Sequence, residues 1–292
     1  MEEKKRAINW YPGHMTKARR MMEEDIKLVD LVIEIVDARI PLSSRNPDID
    51  KLAKNKARIV LLNKSDLADD TVTDEWITYF KDKGFYCLKL NSRLNVSNRA
   101  VNNLITAACS AKIERDRARG IKNRSIKAMI VGIPNVGKST FINSMAKKKV
   151  AKTGDKPGVT KAQSWLKISD FLQFLDTPGI LWPKFESQDV GIKLSICGSI
   201  KDEIVDLHMV CLYALRIIEK KYPSLLEKRY GISINEFSGD TDGMEIATLI
   251  AQKRGCLLKG NQYDYERVFT LVMNDIRSNR IGAMTFESAN EK

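Results

Sequence analysis

The chain has 292 residues, 43% hydrophobic and 29% charged, with a formal net charge of +12. That length accommodates one full nucleotide-binding domain plus a smaller one, and no stretch approaches the roughly 20 apolar residues that span a bilayer. The start, Met1 to Arg6 and then Trp10-Tyr-Pro-Gly13, lacks the apolar core of a signal peptide, and the five cysteines lack metal-ligand spacing. Together these features predict a reduced, cytoplasmic protein with no membrane partner.

Residues 1–28 read as an aromatic, basic arm that continues as a helix from about Thr16, an N-cap residue type, to Leu28. The run from Leu31 to Val36 is apolar and β-branched, the pattern of a buried strand, and it ends at Asp37-Ala-Arg39. A loop from Pro41 to Pro47 and a short helix to about Lys54 lead to a second strand, Arg58 to Leu62. The loop at its C-terminal end carries Asn63-Lys64-Ser65-Asp66. Thr73 to Lys83 reads as a helix stopped by Gly84, and Phe85 to Leu90 as a strand ending at Asn91-Ser92-Arg93. Ser97 to about Arg119 reads as one helix. Ile126 to Val131 is a strand, and Lys138 to about Ala146 a helix. A Gly- and Lys-rich segment, Lys147 to Val159, precedes two short strands, about Ala162 to Ile168 and Phe171 to Leu175, that run into Asp176.

Strands alternating with helices over residues 29–184 predict an α/β domain: a mostly parallel sheet with helices on both faces. A linker at 185–199 then separates it from a smaller all-α domain at 200–292. Apolar residues recur there at helical spacing: Val205, Leu207, Val210, Leu212, Leu215 and Ile218, later Ile246, Leu249 and Ile250, then Val268, Leu271, Val272 and Ile276. The charge is uneven: residues 200–292 carry a net −1, so residues 1–199 carry +13. Lys147, Lys148, Lys149, Lys152, Lys156 and Lys161 form one basic cluster, and the residues from Lys112 through Arg115, Arg117, Arg119, Lys122 and Arg124 to Lys127 another. Each run on its own is equally consistent with a solvated surface, whereas their clustering suits a phosphate backbone.

Gly132-Ile-Pro-Asn-Val-Gly-Lys-Ser139 matches a complete phosphate-binding loop between a strand and a helix. Backbone N–H groups around Asn135, Val136, Gly137 and Thr140 would face phosphate oxygens, Lys138 would bridge the β- and γ-phosphates, and Ser139 would ligate Mg²⁺. In Asp176-Thr-Pro-Gly179 the aspartate would hold the Mg²⁺ shell and the Gly179 amide would sense the γ-phosphate; Thr160 is the natural second hydroxyl for the metal. Asn63-Lys64-Ser65-Asp66 distinguishes guanine from adenine, because the Asp66 carboxylate can accept from both N1–H and the 2-amino group. Lys64 would pack along the base, Asn63 would brace the loops, and Asn91-Ser92 would give a second base contact.

The guanine motif precedes the phosphate loop, which requires a circularly permuted P-loop G domain. Such a permutation is workable because the ends of the unpermuted domain lie close together. Its cut falls after Asp176-Thr-Pro-Gly179, so that switch leads straight into the helical domain. Ile180 follows Gly179 where many GTPases keep a water-orienting glutamine. Hydrolysis is then intrinsically slow unless another group orients the water, and His14 is one candidate; a structural or surface role is the alternative. Asn135 could also offer an amide oxygen to a monovalent cation, or simply brace its loop.

With those residues the chain resembles the ribosome biogenesis GTPase A family. The resemblance runs through Trp10-Tyr-Pro-Gly-His-Met-Thr-Lys-Ala18, Asp37-Ala-Arg-Ile-Pro41, Asn63 to Asp66, Gly132 to Ser139, Pro157-Gly-Val-Thr160 and Asp176-Thr-Pro-Gly-Ile-Leu-Trp182. It implies a GTPase that binds GTP and GDP and acts on the large (50S) ribosomal subunit precursor at a late maturation step. It further implies stimulation by ribosomal particles, contacts to 23S rRNA and ribosomal proteins, His14 as a catalytic residue, Asn135 as a K⁺ ligand, and an RNA-contacting helical domain. The net charge of −1 on residues 200–292 fits that last point imperfectly, so the arm and the G domain are expected to share the RNA contacts. Two other readings stay open: an RNA-binding scaffold that holds GTP as a structural ligand, and a GTPase acting with tRNA modification.

Overall fold

The computed structural model describes residues 20–94, 97–121, 124–151, 164–182, 185, 187–233 and 243–290. Among these, residues up to Phe185 together with 287–290 form one compact unit, and residues 187–286 form a second.

The first unit is built on a six-stranded sheet: β1 (Leu31–Asp37), β2 (Ala57–Asn63), β3 (Tyr86–Lys89), β4 (Ile126–Val131), β5 (Ser164–Lys167) and β6 (Leu172–Asp176). Their spatial order is β3-β2-β1-β4-β6-β5. Every pairing is parallel except β5 with β6. The centre of the sheet falls where the sequence is most continuously apolar, and all seven residues of β1 are buried. Within β1 the buried Glu34 is matched by the Arg45 and Arg58 guanidiniums at 3.0 and 3.2 Å, and both guanidiniums also lie over the Phe85 ring.

Residues 20–25 are helical and run into a 3-10 turn at Ile26–Leu28; the unit also contains helices α1 (Asp48–Leu52), α2 (Asp70–Asp82), α3 (Asn98–Ala108), α4 (Ser110–Ala118) and α5 (Lys138–Ala146). α2 begins three residues before the expected Thr73, because Asp69 accepts from the Val72 amide and caps it. Its buried face carries Thr73, Trp76 and Phe80, of which Trp76 and Phe80 cluster with Val36, Val60 and Leu62. The single helix expected over 97–119 is two helices, broken at Cys109, whose φ of −104° and ψ of 12° leave the helical region. α5 has the expected bounds and stacks Phe141 on Phe174 of β6, with ring centroids 5.8 Å apart.

The second unit is helical: α6 (Gln188–Ile196), α7 (Leu207–Lys221), α8 (Pro223–Tyr230), α9 (Met244–Arg254) and α10 (Tyr265–Arg277). Of the residues picked out by their spacing, Val210, Leu215, Ile218, Ile246, Ile250, Val268, Val272 and Ile276 are buried in the helices, whereas Val205, Leu207, Leu212, Leu249 and Leu271 are only half-buried. Inside it Asp275 is almost fully buried, with the Arg229 guanidinium and the Tyr230 hydroxyl donating to it. Two boundaries differ from expectation. The stretch 185–199, read as a linker, contains α6, capped by Ser187; Arg277 donates to the carbonyls of Ser195 and Ile196 at its end. Residues 287–290, read as part of the helical domain, belong to the first unit. Among the described residues no helix is long and apolar enough to cross a membrane.

Phe174 is fully buried between β4 and α5. Phe174→Ala is expected to destabilise the first unit by about 3–5 kcal/mol, read as a lower urea midpoint for the transition that removes nucleotide binding.

Candidate guanine-nucleotide site

Because β1, β2, β3, β4 and β6 are parallel, the loops at their carboxyl ends gather along one edge of the sheet. The chain runs outward in opposite directions from β1 and β4, and ligands bind open α/β sheets at such a switch point. The phosphate loop lies there, between β4 and α5.

Two features shape this loop. Gly137 has φ +96°, and the Asn63 carboxamide occupies the place its Cβ would take. Asn135 is also left-handed, at φ 62°. α5 starts at Lys138, so Ser139 and Thr140 lie in its first turn, where N–H groups lack helical acceptors and favour anions. The Lys138 ammonium is folded into the loop, donating to the carbonyls of Gly132 (3.0 Å) and Ile133 (2.9 Å). Burial pushes it down to about 8, against the opposing charge of Asp176. Asp176, at the end of β6, is pushed above the usual carboxylate range by burial, with Lys138 acting the other way. Its Oδ1 is buried without a hydrogen-bond partner among the described residues. An uncompensated carboxylate oxygen of this kind is a hard donor of the type that Mg²⁺ takes.

The segment after Asp176 lies against the loop. Thr177 donates from its hydroxyl to the Ile130 carbonyl at 2.7 Å. A Cβ on Gly179 would come within 2.8 Å of the Pro134 Cα and 2.9 Å of the Lys138 Nζ, so only glycine allows this approach. Ile180 is buried at 4% exposure and offers no polar atom to a water.

On the base side, Asn63 joins three loops. Its Nδ2 donates to the Val136 carbonyl of the phosphate loop at 2.6 Å, and its Oδ1 accepts from the Ser92 amide at 2.9 Å. Lys64 turns the chain in the left-handed region (φ 59°), and Ser65–Leu67 follow as a 3-10 turn that presents Asp66 at the surface. The Ser65 amide donates to the Leu90 carbonyl, which ties this turn to the β3 loop. Of the pair expected as a second base contact, Asn91 turns its carboxamide oxygen onto the Arg93 amide (2.9 Å), whereas the Ser92 hydroxyl is buried without a partner among the described residues.

Sequence reasoning assigned no role to Asp37 and Arg39. Asp37 accepts from the Arg39 amide (3.1 Å), from Nε and Nη2 of the same side chain (2.9 and 2.8 Å) and from Lys64 Nζ (2.9 Å). Burial alone would push its carboxyl up, but the Arg39 and Lys64 charges outweigh that and hold it well below the usual carboxylate range. Its position at the carboxyl end of a central strand, beside the guanine motif, was the available signal. His14 and Thr160 lie outside the described residues, as do Lys122, Lys152, Lys156 and Lys161.

A family model described as "50S ribosome-binding GTPase" matches residues 127–234. The match begins at the strand that delivers the phosphate loop and leaves out Asn63 to Asp66, which lie upstream. Ribosome biogenesis GTPase A of Bacillus cereus is 49% identical over 284 residues, covering 97% of this chain and 95% of that protein. The Thermotoga maritima protein of the same name is 32% identical, covering 96% and 94%. Among solved structures, GNP-bound YlqF from Thermotoga maritima superposes with a TM-score of 0.64 at 27% identity, covering 94% of this chain and 100% of that one. Its GDP-bound form gives 0.63 at the same identity. The sheet order and these likenesses together define the fold as a circularly permuted P-loop G domain with a smaller helical domain.

Asn63→Ala removes two buried hydrogen bonds and leaves the Ser92 amide unsatisfied. GDP affinity is expected to fall by about 10- to 100-fold, the equivalent of roughly 1.4–2.8 kcal/mol, as measured by calorimetric titration.

Proposed function

The chain belongs to the ribosome biogenesis GTPase A family, and on that premise we propose that it binds the assembling large (50S) ribosomal subunit and couples GTP binding and hydrolysis to a late maturation step. One observation carries the nucleotide half of this reading: the Asn63 carboxamide bonds the guanine motif directly to the phosphate loop. The ribosomal half is supported by the description of the matching family model and by the relatives' names.

In this reading Lys138 and the N-terminus of α5 bind the β- and γ-phosphates and neutralise charge that builds up as the terminal bond breaks. Ser139, Asp176 and Thr160 would hold Mg²⁺, which would supply further charge neutralisation. The Gly179 amide and Thr160 sense the γ-phosphate. Asp66 accepts from guanine N1–H and the 2-amino group, with the Lys64 stem along the base. Ile180 cannot position water, so hydrolysis is intrinsically slow, and His14 orients the water once the ribosomal particle is engaged. Asn135 would offer its amide oxygen to K⁺.

The RNA surface draws on the basic excess of the G domain. Arg115, Arg117, Arg119, Arg124, Lys127, Lys147, Lys148 and Lys149 are all exposed and can neutralise the 23S rRNA backbone. The helical unit, without the basic excess of the G domain, supplies further RNA and ribosomal-protein contacts, and the setting is the cytoplasm.

The test is GTP turnover with and without purified large subunits, comparing the native chain with His14→Ala at low and high potassium. Stimulation that disappears in the variant, and weakens at low potassium, is the expected result. Stimulation that survives in His14→Ala returns that histidine to a structural role, and no stimulation at all sinks the ribosomal reading. A second prediction concerns the base. Asp66→Asn replaces an acceptor with an amide that can donate to the C2 oxygen of xanthine, so preference should move from GDP to xanthosine diphosphate. GDP affinity should drop by about 10³-fold or more, read in competition binding.

A further inference from the structure

Glu287 lies near the end of the chain, yet its side chain is only 7% exposed and bonds into the first unit. Oε2 accepts from the Leu42 amide at 2.8 Å, and both oxygens accept from the Ser43 amide at 3.2 Å. The Ser43 hydroxyl donates to Oε1 as well. The Glu287 carbonyl accepts from the Trp76 indole at 3.3 Å, and Ala289 packs on the cluster of Trp76, Phe80, Val36 and Leu62.

The carboxylate's partners explain what it does. Ser44 N–H donates to the Ile40 carbonyl and Arg45 N–H to the Leu42 carbonyl, so residues 40–45 form a short helical turn. Leu42 and Ser43 hold the leading N–H groups of that turn, the groups a cap residue ordinarily satisfies. Here the cap comes from more than 240 residues away. The Ser44 hydroxyl, within the same turn, donates to the Ile40 carbonyl at 2.7 Å and accepts the Asp37 amide at 3.0 Å. Asp37 in turn holds Lys64 through its carboxylate.

The geometry points to Glu287 as a positioning residue for guanine recognition: it caps the 40–45 turn, which fixes Asp37, which fixes Lys64 and the loop carrying Asp66. This inference rests on the reading of Asn63 to Asp66 as the base-recognition loop and is independent of the ribosomal partner. It gives the C-terminal tail a part in nucleotide selectivity.

The experiment measures the affinity of the full chain for GDP and for inosine diphosphate, which lacks the 2-amino group, in the native protein and in Glu287→Ala, Glu287→Gln and Ser43→Ala. Thermal unfolding is followed in parallel. Glu287→Ala is expected to weaken GDP about tenfold and to shrink the preference for GDP over inosine diphosphate several-fold. Glu287→Gln, which keeps one acceptor oxygen, should recover part of both. If Glu287→Ala does not fold, Glu287→Gln and Ser43→Ala carry the same comparison with smaller changes. A lowered melting temperature with an unchanged preference would overturn the proposal, and so would no change in either quantity. A native chain that does not prefer GDP would instead overturn the reading of the base loop itself.

Discussion

The carboxamide of Asn63 is the contact on which the candidate site depends. In this chain the base-reading motif and the phosphate loop are separated by about seventy residues, and they belong to strands that are not neighbours. Bringing the strand ends to one edge of the sheet places the loops near each other but does not fix their register. Asn63 does so by donating to the Val136 carbonyl and accepting the Ser92 amide. Only a side chain with a donor and an acceptor on one planar group can do both, which excludes aspartate and every apolar residue. The absence of a side chain on Gly137 is the counterpart, because the carboxamide fills that space.

Electrostatics divides the two ends of the site. Asp37 and Asp176 are both buried at the carboxyl ends of strands, yet their carboxyls are displaced in opposite directions. Asp37 has two cations in hydrogen-bonding contact and stays ionised despite burial. Asp176 feels Lys138 with no hydrogen bond to its Oδ1 among the described residues, and burial dominates. Lys138 is displaced towards its neutral form by the same lack of water. The base end is therefore electrostatically complete within the protein, whereas the phosphate end holds a partly compensated pair. A polyanion with its counter-cation would complete that pair, in keeping with preorganisation of charge at phosphate-transfer sites.

The parts of this fold that the sequence made legible are those decided by neighbours along the chain. β4 and α5 have the expected bounds because a β-branched run, a glycine-rich turn and an amphipathic helix follow one another without interruption. α2 starts earlier than its apolar pattern implies because the Asp69 cap recruits the polar residues Asp70 and Thr71 into its first turn. The break at Cys109 carries no Gly or Pro signal, and α6 was hidden inside a stretch that looked like a linker. Asp37, Arg39 and Glu287 could not be assigned roles, since each acts through partners brought together by tertiary structure. For Glu287 the nearest of its turn-capping partners is 244 residues away. A carboxylate that caps a distant turn looks, in sequence, like any glutamate in a polar tail.

The permutation and the returning tail have a joint consequence. In chain order the helical unit is an insertion between Phe185 and Glu287, both of which belong to the G-domain unit. The segment before the insertion contains Gly179, packed against Pro134 and Lys138 of the phosphate loop. The segment after it contains Glu287, which caps the turn behind Asp37 and Lys64. On the proposed reading of the site, the two covalent links would reach opposite ends of a bound nucleotide, one at the phosphates and the other at the base. An ordinary switch, driven by the γ-phosphate alone, would need only the first link. With the second, the occupancy of the base pocket also bears on a segment continuous with the helical unit. GDP, which fills the base pocket but lacks the γ-phosphate, would then engage one link and leave the other free, so empty, GDP-bound and GTP-bound forms become three distinguishable states rather than two.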